Sequence, residues 1–122
     1  MARSAEAPSC FLFSISLFLL LLSPNLGRVH GSGQEQKTWC VAKPSSDDSA
    51  LENNINFACS QVDCSILQSG YPCFNPDKLI SHASVAMNLY YQAKGRNYWN
   101  CYFSDSALTV TTDPSYGSCA YA

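Results

Sequence analysis

A chain of 122 residues has room for one ordinary domain, and its first thirty or so are too one-sided in composition to join a core, which leaves about ninety. A domain of that size buries only about 60–65% of the surface its unfolded chain exposes, so external staples are expected and a barrel-sized enzyme is excluded. A formal charge of −2 with seven Lys plus Arg argues against nucleic acid or an anionic membrane, which need a basic stripe to displace counterions, and favours neutral or weakly polar ligands.

Arg3 lies in a short polar lead, Phe11 to Leu22 is apolar except for Ser14 and Ser16, and Pro24, Asn25 and Gly27 break any helix that follows. This is the pattern of a secretory signal peptide. The apolar run is too short for a transmembrane helix, which needs about twenty residues. Cleavage is expected after Gly31, with Gly33 as the alternative position and a retained signal anchor as the competing reading. Only Ala120, Tyr121 and Ala122 follow the last cysteine, so no tail for exchange to a glycolipid anchor is expected. The product should be soluble and secreted.

Removal of residues 1–31 takes Cys10 with it and reduces seven cysteines to six: Cys40, Cys59, Cys64, Cys73, Cys101 and Cys119. An even set in an oxidising compartment reads as three disulfides, for which fifteen pairings are possible. Cys59 and Cys64 are near enough to close a local loop. Zinc is the competing reading, but the set has no C-x-x-C pair and His82 is the one histidine of the mature chain, so no metal or other cofactor is expected.

Ser32 to Lys37 is polar and glycine-containing and reads as a disordered lead, with the domain starting near Thr38. From Asp47 the pattern turns helical. Leu51, Ile55, Ala58 and Cys59 share one face, Glu52, Asn53 and Asn56 the other, and Ser46, Asp47 or Ser49 can cap the start. This helix should run about twelve residues, to near Ser60. A second helix is expected from Pro76 to Lys94. Asn75 is its cap, Pro76 stands where a missing N–H costs nothing, and Gly95 provides a left-handed stop. Leu79, Ala83, Ala86, Met87 and Tyr90 form one stripe, with Ile80, Ser84 and Tyr91 beside it, and the small Ala83 and Ala86 should meet the first helix. Beyond Gly95, Tyr98 to Phe103 and Leu108 to Thr112 read as extended, predicting two or three short strands before the turn at Asp113, Pro114, Ser115 and Gly117.

Catalytic chemistry has little support. Hydrolysis of a glycoside needs two facing carboxylates, yet Asp47, Asp48 and Asp77 lie at helix starts, Asp113 precedes a turn and Glu35 is in the lead, while nothing marks Glu52, Asp63 and Asp105 as a pair. His82 stands without a G-x-S-x-G nucleophile turn, and phosphate-binding glycine loops are lacking. No N-x-S/T acceptor for N-glycosylation occurs. The mature chain carries twelve aromatic residues, including all seven tyrosines and both tryptophans, many of which a small disulfide domain would spend on its core. Flat rings flanked by Asn, Gln, Asp and Ser suit sugars, whose rings have apolar faces and hydroxylated rims. Trp39, Phe57 and Phe74, at or near cysteines, are expected in the core. Alternation along a strand would send Tyr98 and Tyr102 to one face and Trp99 and Phe103 to the other, one of them exposed.

Several stretches carry a family resemblance: WCVAKP from Trp39, CSQVDC from Cys59, CFNPDKLISHASVAMNLYYQAKGRN from Cys73, CYFSDSA from Cys101 and DPSYGSC from Asp113. Together they closely resemble the plant carbohydrate-binding module of family 43, the X-eight domain, over Trp39 to Cys119. Six cysteines in order with the C-F-x-P and A-M-N-x-Y-Y motifs make the resemblance specific. It implies a small disulfide-rich α+β fold of two packed helices with a small antiparallel sheet and long coil segments, and bridges Cys40–Cys101, Cys59–Cys64 and Cys73–Cys119. It also implies binding of β-1,3-glucan such as callose or laminarin in the plant cell wall, without hydrolysis by the domain itself. Candidate glucan contacts within the family motifs are Asn88, Tyr90, Tyr91 and Arg96, with Tyr102, Phe103 and Tyr116. Family members often carry glycine in the loop after the C-x-F motif, where this chain has Ser104, Asp105, Ser106 and Ala107. Neither a glucosidase domain nor a membrane anchor is expected. The alternatives are a disulfide-rich defence or inhibitor protein that binds another protein through the Tyr71–Pro72 segment, and a small glycoside hydrolase.

Overall fold

A computed structural model describes residues 36–122; the expected signal segment 1–31 and residues 32–35 of the expected 32–37 lead lie outside the described residues. In chain order the elements are strand β1 (Trp39–Ala42), helix α1 (Asp48–Gln61), helix α2 (Leu79–Ala93) and strand β2 (Ala107–Val110), with single 3₁₀ turns at Ser65–Leu67 and Tyr98–Cys101 in the long connections. The two helices pack together and the strands form one antiparallel pair, from Trp39 opposite Val110 to Ala42 opposite Ala107. That is the small α+β, disulfide-rich class expected.

Asp47 caps α1 by accepting the Ala50 N–H at 2.8 Å, which satisfies one amide left free by the first turn. Leu51 and Ala58 go inward while Glu52, Asn53 and Asn56 stay exposed. Helix α2 starts at Leu79 rather than Pro76. The Asn75–Pro76 peptide is cis, and the Asn75 carbonyl accepts the Tyr116 hydroxyl at 2.9 Å. Lys78 is in extended backbone and donates to the Pro76 carbonyl at 2.8 Å, so the helix begins after it. At the other end Gly95 takes φ 95°, with Gly95 N–H on the Gln92 carbonyl and Arg96 N–H on the Tyr91 carbonyl, the paired bonds of a glycine stop.

Along α2, Ser84, Asn88 and Gln92 fall four residues apart on one stripe, facing β1. Ser84 Oγ accepts the Ala42 N–H at 2.9 Å, Asn88 Oδ1 accepts the Cys40 N–H at 3.0 Å, and Gln92 Nε2 donates to the Thr38 carbonyl at 2.9 Å. The helix thus serves β1 as a third strand would, giving partners to backbone groups that burial would otherwise leave unpaired. Around this ladder Cys40, Ala42, Leu51, Ala83, Met87, Tyr91, Cys101 and Ala107 form the main core, and Cys73, Val85 and Cys119 anchor a second, smaller one.

The predicted strand over Tyr98–Phe103 does not form. β1 already has β2 on one edge and the α2 side chains on the other, so no β1 edge remains for it. Tyr98–Cys101 instead closes a 3₁₀ turn that Asn97 braces through its side-chain amide to the Lys94 carbonyl and Asn100, while Cys101 is tied to Cys40. The other bridges are Cys59–Cys64 and Cys73–Cys119. Three such bridges fit an oxidising, exported setting. Of the rings expected in the core, Trp39 is buried and Phe74 half-buried, but Phe57 is 45% exposed, packed edge-on against Tyr90 at the end of α2 and near Phe103 rather than within the core cluster. His82 lies with Nε2 2.7 Å from the Phe74 carbonyl oxygen, a structural bond.

Candidate functional site

Where the last turns of α1 and α2 meet the segment after Gly95, three rings pack edge to face. Phe57 of α1 stands 5.0 Å from Tyr90 of α2, and Phe103 lies 5.8 Å from Tyr90 and 6.3 Å from Phe57 between centroids. These rings wall a groove of about 360 Å³ that Trp99 and Tyr102 extend. Both of those are 61% exposed, and Tyr98, 81% exposed, buttresses Trp99 edge-on at 5.2 Å. Asn53, Asn100 and Ser104 supply the polar rim, and no charged side chain lines the groove. In a domain short of apolar surface for its own core, so many rings left in water make this groove the candidate binding surface.

The far wall is held by unusual backbone. Phe103, Ser104 and Asp105 take φ of 46°, 52° and 66° in succession, left-handed conformations that cost non-glycine residues of order 1 kcal/mol each. Four contacts hold the turn. Ser106 donates both its amide and its hydroxyl to the Phe103 carbonyl, buried Asn54 donates to Ser106 Oγ at 2.8 Å, and Lys43 Nζ pairs with Asp105 at 2.8 Å. The turn therefore keeps its shape without the glycine that the resemblance leads one to expect.

The sequence-predicted contacts are only partly brought together. Tyr90, Tyr102 and Phe103 meet in the groove. Asn88 and Tyr91 are 0% and 2% exposed, Asn88 in the ladder against β1 and Tyr91 with its hydroxyl 2.7 Å from Thr38 Oγ1, so neither is presented to a ligand. Arg96 follows the helix stop and its guanidinium donates to Gln92 Oε1 at 3.3 Å. Tyr116 lines a different cleft, beside Asn75. The sequence reading missed Phe57, which its nearness to a cysteine assigned to the core, and gave no role to Asn53, four residues earlier on the exposed face of the same helix. It also parted Trp99 from Tyr102 by strand alternation, whereas the 3₁₀ turn lets both reach the groove.

Carboxylates are engaged elsewhere. Asp105 is paired with Lys43, and Asp63 is held below the ordinary carboxylate range chiefly by the Ser65 amide, which it accepts at 2.9 Å. Among the described residues no three His, Cys, Asp or Glu side chains are grouped to hold a metal ion.

A disulfide-stapled scaffold that presents rings and amides in an open, uncharged groove defines a small ligand-binding domain. The chain belongs to the X8 domain family, whose model matches residues 38–108. It is 46% identical over 90 residues to the major pollen allergen Ole e 10 of Olea europaea, an alignment covering 72% of this chain and 73% of that protein. Plasmodesmata callose-binding protein 2 of Arabidopsis thaliana is 37% identical over 91 residues, 74% of this chain and 47% of its own length. A glucan endo-1,3-beta-D-glucosidase of Olea europaea is 51% identical over 85 residues, 69% of this chain, but the match spans only 18% of the glucosidase.

Proposed function

We propose that the domain is a secreted, non-catalytic module that binds β-1,3-glucan such as callose or laminarin in the plant cell wall. The observation that carries this reading is the groove itself: Trp99 and Tyr102 offer exposed ring faces to the apolar faces of sugar rings, while Asn53, Asn100 and Ser104 stand where hydroxyls would need donors and acceptors. The relatives named for callose binding and for 1,3-β-glucan hydrolysis support the same ligand. No carboxylate lines the groove, which supports binding without cleavage. The amino-terminal signal pattern and the three disulfides support export.

Each stacked ring is worth roughly what an aromatic pair is, about 0.5–1.5 kcal/mol, so one groove binds weakly and retention on a polymer depends on repeated contacts. Laminarin pull-down followed by a reducing-end assay tests the reading. Retention without new reducing ends is the expected result. Release of reducing ends would make the protein a hydrolase, and failure to be retained would return the inhibitor reading.

A further inference from the structure

A second cleft, of about 680 Å³, lies between residues 70–76 and 116–118 and shares no residue with the aromatic groove. It opens ahead of the first turn of α2, whereas the groove lies at Tyr90 near the last. Eleven residues separate Leu79 from Tyr90, which at the rise of an α-helix is about 16 Å.

The cleft is built in advance. The Cys73–Cys119 bridge ties its two walls, the Tyr116 hydroxyl donates across it to the Asn75 carbonyl at 2.9 Å, and Tyr116 and Cys119 exchange both backbone bonds at 3.0 and 2.8 Å. On the opposite wall the Tyr71 N–H donates to the Gln68 carbonyl at 2.9 Å and the Tyr71 carbonyl accepts the Phe74 N–H at 3.1 Å. A ligand therefore meets walls that need little ordering on binding. Its chemistry is equally restricted. No charged side chain lines the cleft, so it lacks the charge that would favour a phosphate or a cation over a neutral ligand. Tyr71 is 49% exposed and presents a ring beside Pro72 and Pro76. Within the same cleft the Asn75 side-chain amide, the Ser118 hydroxyl and the Tyr71 hydroxyl make no hydrogen bond among the described residues. A proline-rich peptide is the other neutral ligand that tyrosines receive, but it docks on grooves lined by several aromatic rings, and here the second tyrosine is only partly open and spends its hydroxyl on Asn75. One ring platform in a cleft that also holds uncommitted amide and hydroxyl groups matches a single neutral, hydroxylated ring.

We propose that this cleft is a second saccharide site, receiving a pyranose ring of a second glucan chain, so that one domain holds two chains and links them. The proposal rests on the reading of the domain as a glucan binder. Two sites on one rigid domain turn each later contact with a polymer network into an intramolecular event and raise retention without new contacts.

Titration of the ¹⁵N-labelled protein with laminaritriose, too short to join the two clefts, is expected to shift amides of both, Gly70 and Ser118 in one and Asn100 and Ser104 in the other. Tyr71→Ala should abolish the first set and spare the second; Trp99→Ala should weaken the second and spare the first. With soluble high-molecular-weight laminarin, turbidity from linked chains should appear for the unsubstituted protein and be lost in either variant, with circular dichroism and an absence of free thiols confirming the fold. Shifts confined to the groove amides, or cleft shifts that survive Tyr71→Ala, overturn the second site and leave the first standing. Cleft shifts produced by a proline-rich peptide and not by the triose also overturn it. No shift anywhere with the triose, and no retention on laminarin, removes the glucan reading and this inference together.

Discussion

Asn54 Nδ2 donates to Ser106 Oγ at 2.8 Å, both residues are buried, and Ser106 hands the connection on to the Phe103 carbonyl. One short relay thus joins the middle of α1 to the left-handed turn that sets Phe103 against Phe57 and Tyr90. Asn54→Ala is expected to leave the Ser106 oxygen without its donor and to cost about 1–3 kcal/mol, read from the denaturation midpoint. Laminarin retention should fall with it. Lower stability with full retention would show that the turn holds its shape unaided.

Exposed rings and the buried ladder should separate binding from stability. Trp99→Ala and Tyr102→Ala change surface positions, so unfolding should move by no more than about 0.5 kcal/mol. Affinity for laminarin should fall about 2- to 12-fold for each, the equivalent of 0.5–1.5 kcal/mol. Asn88→Ala should do the reverse, stranding the buried Cys40 N–H at a cost of about 1–3 kcal/mol while the folded fraction binds as before. A binding loss at Asn88 without a stability loss would contradict its placement in the ladder.

The turn at Ser104 offers a backbone test. With φ at 52°, Ser104→Gly relieves left-handed strain, partly offset by the greater freedom glycine gives the unfolded chain, for a net gain of up to about 1 kcal/mol. Ser104→Val, β-branched at the same position, should lose more than about 1 kcal/mol. Equal midpoints for the two variants would show that the turn carries no such strain.

Disulfide removal should follow loop length. Cys40–Cys101, Cys59–Cys64 and Cys73–Cys119 span separations of 61, 5 and 46 residues. Restriction of the unfolded chain then predicts costs of about 4 kcal/mol for each long bridge and about 2 kcal/mol for the short one when the pair is replaced by serine. Guanidinium unfolding of the three double variants checks the order.

Acid and alkali should act through different groups. The Ser115 hydroxyl first, and its amide second, hold the Asp113 carboxyl below its ordinary value of 3.8, and the Ser65 amide does the same for Asp63. Because the folded values are the lower ones, both carboxylates stabilise the fold above about pH 4, and that contribution disappears as pH falls through their folded values. Ser115→Ala should bring Asp113 back up, as followed by carboxyl-carbon NMR. Burial, with Tyr116 adding to it, pushes the Tyr121 phenol up to about 12 from 10.0, so its contribution is intact below pH 10 and fades as pH rises through about 12.

Signals that depend on a few adjacent residues were legible without a fold. Asp47 caps because its own side chain reaches an amide three residues on, Gly95 stops α2 because it alone tolerates the backbone required, and the order of six cysteines with the C-F-x-P and A-M-N-x-Y-Y motifs carried the family and, through it, the bridges. Pro76 was misread because the chain stays extended through Lys78, in a loop whose Asn75 carbonyl is bonded to Tyr116, forty-one residues away. The groove was half legible. Tyr90, Tyr102 and Phe103 were found, whereas Asn88 and Tyr91 disappeared into the contact with β1 and Phe57 came out of the core. Extended propensity in Tyr98–Phe103 likewise gave way once both β1 edges were occupied.

Local chemistry along the chain was sufficient to determine where helices stop, that six cysteines would staple the domain and that neutral, ring-rich surface is its resource, while the pairing of those cysteines came from the family resemblance. Which rings face water was decided only by tertiary packing, since a side chain's exposure is set by neighbours distant in sequence that have already claimed the available edges and hydrogen bonds.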